Sequence, residues 1–221
     1  MLLSDLLKSD LLSKIFPTQH ACLKHELEHS QSILDLGCGP DSPISNYKNK
    51  YTVGVEYFTK YYQRAARNKT HSKLIHSNIS SLNFPTNSFD TVVLTEVIEH
   101  MTKKEALSTL QKAKRWAKKN VVVTTPNGFL PQQVIDGNSK QQHLSGWTTI
   151  DLQKLGFQKI QGLAGLKSLR QPVEHNVYTG DILTTIKFKP KMFWFIISAL
   201  SQMITYYLPE KSFELFAVYY K

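Results

Sequence analysis

Ile33-Leu34-Asp35-Leu36-Gly37-Cys38-Gly39 decides the fold of this chain. An apolar run meets an acidic residue, and two glycines follow at alternate positions. Such a run reads as a strand buried on both faces that feeds a tight turn. Glycine in that turn lets the backbone approach a ligand, with a carboxylate close by. Three further pieces follow at intervals suited to one ligand site: Val53-Gly54-Val55-Glu56, His76-Ser77-Asn78-Ile79 and Phe89-Asp90-Thr91-Val92-Val93-Leu94-Thr95-Glu96.

Outward from this stretch, strand and helix signals alternate. Strands are expected at 32–36, 51–56, 72–76, 90–95, 120–125, 157–163 and 213–220. Helices are expected near 59–67, 103–117 and 148–155. Alternation at this pace describes an α/β fold, a mostly parallel sheet with helices on both faces. Ligands of such sheets bind beyond the carboxyl ends of the strands, where each quoted motif lies. Before the first strand, Leu2, Leu3, Leu6, Leu7, Leu11 and Leu12 recur at helical spacing, and a second helix covers 21–28. Residues 1–29 therefore read as an N-terminal helical segment and 30–221 as one α/β domain. The first residues carry acids where a secretion signal needs a basic start, so they are read as an amphipathic helix.

The chain has 221 residues, 41% of them hydrophobic, which permits a normal core and excludes a disordered chain. The formal net charge of +10 suits an anionic partner: nucleic acid, an acidic lipid surface or an anionic substrate. It equally suits a basic soluble enzyme. Cys22 and Cys38 are the two cysteines, in settings too different for a disulfide framework. The expected location is a reducing, cytoplasmic one, peripheral at most to the inner membrane face.

Two later segments carry chemistry. In Thr95-Glu96-Val97-Ile98-Glu99-His100-Met101, a helix would place Glu96, Glu99 and His100 on one face. Two carboxylates and an imidazole there suit a divalent cation, with Mg²⁺ favoured by the oxygens and Mn²⁺ or Zn²⁺ admitted by imidazole. The segment 126–147 is a long loop rich in Pro, Gly, Asn and Gln, expected to be a lid or binding loop. His143 within it is a candidate general base. His20, His25, His29, His71, His76 and His175 are read as surface or structural. The uncharged apolar segment 192–208 follows Lys187, Lys189 and Lys191. It is short for a membrane span. A helix packed on the sheet is expected; a membrane-surface helix and a dimer contact stay open.

These motifs resemble class I S-adenosylmethionine-dependent methyltransferases. The resemblance implies a Rossmann-like, doubly wound, mostly parallel seven-stranded sheet with a last antiparallel strand, preceded by N-terminal helices and holding the apolar helix before that strand. It implies S-adenosylmethionine as cofactor, held by Asp35, Gly37, Cys38, Gly39, Glu56, Asn78, Ile79, Thr95 and Glu96. Asn78 stands where the family usually has Asp. The third glycine of the dinucleotide fingerprint is missing from Gly37-Cys38-Gly39-Pro40-Asp41-Ser42, which argues against a nicotinamide cofactor. Glu-x-x-Glu-His is similar to the turn of magnesium-linked O-methyltransferases and small-RNA 2′-O-methyltransferases. The latter also have a histidine four residues before a tryptophan, as in His143-Leu144-Ser145-Gly146-Trp147. The resemblance thus implies His143, Glu99 and His100 as catalytic residues, and Glu96, Glu99, His100 and His143 as metal ligands. The 125–133 segment, Lys167 and Arg170 resemble uncharacterised bacterial and archaeal methyltransferases. The function implied is O-methylation of a small or lipid-linked acceptor by a monomer or homodimer. Metal-assisted RNA 2′-O-methylation and a non-catalytic, cofactor-binding scaffold remain the alternatives.

Overall fold

The computed structural model describes residues 17–172 and 183–221. The leucine-spaced helix expected at 2–12 and His175 lie outside them. The chain runs α1 (Gln19–Leu27), β1 (Ser32–Leu36), β2 (Tyr51–Glu56), α2 (Thr59–Arg67), β3 (Lys73–His76), β4 (Phe89–Thr95) and α3 (Lys103–Trp116). It continues with β5 (Ala117–Pro126), α4 (Thr149–Lys154), β6 (Lys159–Leu166), α5 (Lys191–Thr205) and β7 (Ser212–Tyr220). The strands form one seven-stranded sheet in the order β3-β2-β1-β4-β5-β7-β6. β1 pairs in parallel with β2 and β4, whereas β7 runs antiparallel to β5 and β6.

Alternation along the strands divides the core in two. Leu34, Val53, Val92 and Val121 pack on one side with Ala106, Leu110, Ala113 and Trp116 of α3. Ile33, Val93, Val122 and Phe216 face the other side with Cys22, Leu23 and Leu27 of α1. Period-two side-chain direction makes adjacent residues diverge in this way. α3 starts at a capping box, Thr102 with Glu105, and ends at Trp116 where β5 begins without an intervening loop. β5 is therefore longer at its start than its apolar run predicts.

The two central crossings bring the ends of β1, β2 and β4 together at the switch in strand order. α5 packs against the edge strand β6 and leaves an apolar face open to solvent. It is thus a packed helix, as expected, yet one whose apolar residues point outward.

Candidate functional site

The bend after β1 is built by backbone. Gly37 and Cys38 donate their amides to the Val55 carbonyl at 2.9 and 3.0 Å. Gly37 has φ +70°, and an added Cβ would lie 2.8 Å from Val97 Cγ2. Gly39 has φ +62°, with open space where a Cβ would point. One glycine is therefore demanded by packing and the other leaves room beside the bend. Both demand the left-handed conformation that glycine adopts freely.

Glu56 closes this corner. Its carboxylate accepts from the Gly39 amide at 2.9 Å and the Phe58 amide at 2.7 Å. Burial raises its pKa, against these two amides and that of Tyr57, which favour the charged form. Each oxygen keeps a further lone pair. Gly37, Gly39, Glu56, Asn78, Ile79, Glu96 and His100 line one cavity of about 510 Å³. The Asn78 oxygen accepts from the Ser80 amide at 3.0 Å, which starts the short turn Ile79–Ser81.

Asp35, Cys38 and Thr95 are not on the cavity wall. The Asp35 carboxylate is enclosed, accepting from Ser42 Oγ at 2.5 Å and contacting His71 Nε2 at 3.2 Å. It braces the bend from behind. Burial, with Asp35 and Glu56 nearby, raises the Cys38 thiol and keeps it protonated. The structure corrects one local expectation: Glu96 does not open an α-helix. Its φ is +53°, and Ile98–His100 is a single 3₁₀ turn. Glu96 N donates to Thr124 O at 3.1 Å, and Thr124 Oγ1 donates back to Glu96 Oε1 at 2.9 Å. β5 thus overrides the local helical pattern.

The turn still gathers the acidic and imidazole groups. Glu96 is open to the cavity while protein surrounds it elsewhere, and Glu99 is buried behind it. Desolvation raises both carboxyl groups, and the Glu96 charge pushes Glu99 well above the usual range. Thr125 Oγ1 donates to Glu99 Oε2 at 3.0 Å, whereas Glu99 Oε1 is buried without a partner. His100 Nδ1 meets the Gln142 carbonyl at 3.3 Å, and His143 Nδ1 meets the Leu130 carbonyl at 2.6 Å. A carbonyl only accepts, so each Nδ1 carries the proton and each neutral ring presents a bare Nε2. Burial, with His143 alongside, draws His100 down to about 4, and burial lowers His143 too. One ligand atom from each of Glu99, His100 and His143 lies within 4.8 Å of the others.

His143 reaches this cluster because its neighbours clamp the loop. Leu144 and Ser145 amides donate to Glu99 O at 2.8 and 3.0 Å. Ser145 Oγ and Trp147 Nε1 both donate to Ile98 O, at 3.1 and 3.3 Å. A Cβ on Gly146 would lie 2.3 Å from the Phe129 amide nitrogen. The spacing His-x-Ser-Gly-Trp is thus a docking device. His100 faces the cavity, and His143 stands behind it, ring centroids 4.8 Å apart.

Sequence reasoning missed the part played by α3. Lys104, Ser108, Thr109 and Lys112 line the cavity, with Asn138 and Lys140 from the long loop. The signal was a helix starting directly after the acidic turn. Lys167 and Arg170 do not enter the cavity. Lys167 donates to the Asn127 carbonyl. Arg170 turns inward to Ala164 O at 2.8 Å and Thr185 Oγ1 at 2.6 Å, and burial lowers it to about 10.

Residues 34–124 match the family profile described as methyltransferase domain. Among solved structures, the PH0226 protein from Pyrococcus horikoshii OT3 has a TM-score of 0.52 at 18% identity, over 70% of this chain and 87% of its own. Burkholderia thailandensis 1,6-didemethyltoxoflavin-N1-methyltransferase, solved with bound 1,6-didemethyltoxoflavin and S-adenosylhomocysteine, has a TM-score of 0.54 at 13% identity, over 91% of this chain and 76% of its own. The N-terminal domain of EvdMO1, solved in the presence of S-adenosylhomocysteine and D-fucose, has a TM-score of 0.50 at 16% identity, over 66% and 74%. Identities this low speak for the fold alone. Comparison with curated proteins returns no match. The matched residues and the sheet order agree on a methyltransferase-like fold for this chain.

Proposed function

We propose that this chain methylates an oxygen on a small or lipid-linked acceptor, using S-adenosylmethionine. The observation that carries this reading is one cavity with two unlike walls. The Gly37–Gly39 bend and Glu56 form one; Glu96 and His100 belong to the other. Its volume suits a nucleoside-sized ligand with an acceptor group beside it. Glu56 would take the ribose hydroxyls on its remaining lone pairs. Gly39 would admit the ligand where a side chain would intrude, and Ile79 would cover the base. When bound, S-adenosylmethionine supplies an electrophilic methyl group. The protein's part is to hold and orient the acceptor and to receive its proton. His100, kept neutral by burial, offers Nε2 for a hydroxyl proton. An oxygen nucleophile needs that base more than a neutral amine does, which favours O- over N-methylation.

The cluster of Glu99, His100 and His143 supports a second reading, in which a divalent cation helps orient the acceptor. An orphaned carboxylate oxygen and two bare imidazole nitrogens fit a metal. Two nitrogen donors suit Mn²⁺ or Zn²⁺ better than Mg²⁺. Calorimetry with each ion, on the wild type and Glu99→Gln, tests this reading directly.

The main test is calorimetric titration with S-adenosylmethionine. Glu56→Gln removes the charge from two hydrogen bonds and should weaken binding by about 10- to 100-fold. Unchanged affinity in a folded variant would refute the cofactor site. Transfer of isotope-labelled methyl to lipid or small-molecule fractions, lost in His100→Gln, then separates an enzyme from a binding scaffold. Labelling of RNA instead would favour the nucleic-acid alternative.

A further inference from the structure

α5 is built inside out. At about 100° per residue, Phe193, Ile196, Leu200, Met203 and Ile204 share one arc, and Tyr207 follows just past the last turn. These side chains are about half exposed or more, with Ile204 at 63% and Tyr207 at 79%. The opposite arc, Ser198, Ser201, Gln202 and Thr205 with Phe195, is buried. A helix of a water-surrounded domain normally shows the reverse arrangement.

The orientation is enforced. Gln202 Nε2 donates to Gly162 O at 2.8 Å, and Gly165 N donates to Gln202 Oε1 at 2.7 Å. Leu166 N donates to Ser201 Oγ at 2.9 Å. Added Cβ atoms on Gly162 and Gly165 would lie 2.1 Å from Thr205 O and 2.0 Å from Ser198 O. Backbone contact this close leaves no space for bulkier side chains, so the apolar arc cannot roll inward.

Charge indicates what the arc meets. Lys187 and Lys189 precede the helix, Lys191 opens it, Glu210 and Lys211 follow it, and no charged residue occurs between Lys191 and Thr205. Lysines at a helix N-terminus oppose the macrodipole, so helix stability does not explain them. A basic cluster beside an aromatic and aliphatic arc is complementary to an anionic lipid surface. Fifteen residues span about 22 Å, less than the roughly 30 Å hydrocarbon core. Among the described residues no helix is long and apolar enough to cross a membrane.

Position adds a consequence. Ser198 lies on Gly165 and Thr205 on Gly162, so α5 runs opposite to β6. β5 and β6 both oppose β7, so β6 ends at the sheet edge where β1 and β4 end. The basic first turn of α5 therefore projects past the edge that carries the cavity.

We propose that α5 and the lysines before it dock this protein on an anionic lipid bilayer, lying in the plane of the headgroups. Docking stands independently of the transfer chemistry, because it is read without turnover. The test is vesicle co-sedimentation of the full chain, with Trp194 fluorescence as a second readout. Binding is expected to vesicles containing phosphatidylglycerol and not to phosphatidylcholine alone, and to fall at high salt. Lys187→Glu, Lys189→Glu and Lys191→Glu together should weaken it about a hundredfold. Phe193→Ser with Ile204→Ser should weaken it while leaving the melting temperature near the wild-type value. No vesicle binding, or equal binding to neutral vesicles, would overturn the proposal. So would a dimer dispersed by the serine variants in a protein that ignores vesicles, which would assign the arc to a second copy of the chain.

Discussion

α3 and α5 are helices of nearly equal length on the same sheet, and they solve burial in opposite ways. α3 buries Ala106, Leu110, Ala113 and Trp116 and turns Lys103, Lys104, Gln111 and Arg115 to water. Of its five basic residues, Lys114 and Arg115 sit in the last turn, where the macrodipole favours them, and Lys103 and Lys104 sit in the first. α5 buries hydroxyls and an amide beside the single ring of Phe195, and turns most of its large apolar side chains out. Beneath α3 the attraction is non-directional apolar contact. Beneath α5 it is directional hydrogen bonding at close backbone approach. The comparison teaches that hydrophobic periodicity names a helix's two faces without saying which one turns inward.

The contrast is sharpened first by Trp116→Ala. Trp116 is fully buried and packs edge-on to Phe84, ring centroids 5.1 Å apart. Its removal should cost about 3–5 kcal/mol in denaturant unfolding. A loss below about 1 kcal/mol would deny that apolar contact holds α3.

Gln202→Leu asks the converse question. On α3 logic a leucine facing the sheet should stabilise. Here it strands the Gly165 amide and the Gly162 carbonyl, so stability should fall by about 1–3 kcal/mol. A neutral or stabilising outcome would break the comparison.

The smallest effect is read in pH. Glu214 of β7 is half-buried with its Oε1 enclosed and unpartnered, and desolvation, with the Glu96 charge, raises it well above the usual carboxylate range against the pull of Arg170. A carboxyl raised on folding contributes stability at acid pH, below its unfolded value, and loses it as pH climbs through the folded value. The contribution of Glu214 should therefore drop as pH rises above about 4.5, with a slope of up to roughly 1.4 kcal/mol per pH unit. It is read as the difference between wild type and Glu214→Gln, because His100 and His143, lowered on folding, act with the opposite sign. Glu214→Gln should flatten that slope. Glu99 acts with the same sign, so part of the slope should survive. An unchanged profile would show that Glu214 does not change charge on folding in this range.

Legibility divides along similar lines. The strand positions followed from short apolar runs closed by turn residues. The bend at Gly37 and Gly39 followed from glycine's access to positive φ, and its junction with Glu56 from the ends of parallel strands meeting at the switch in strand order. Glu96 was misread as helical because its neighbours favour helix, while its partner Thr124, like Glu99's partner Thr125, lies far along the chain on β5. His143 was picked out by type and loop context. That it stands behind His100 depends on the clamp from Ser145, Gly146 and Trp147 onto the turn after β4.

By itself, the sequence determined the sheet, its helices and the corner where a nucleoside would lie. Those depend on residue period and backbone freedom, which act between near neighbours in the chain. Tertiary structure alone decided which face of α5 is buried, the neutral state of His100, and the unpartnered oxygens of Glu99 and Glu214. Burial and hydrogen-bond supply are set by groups brought from far along the chain, and these fix both charge state and orientation.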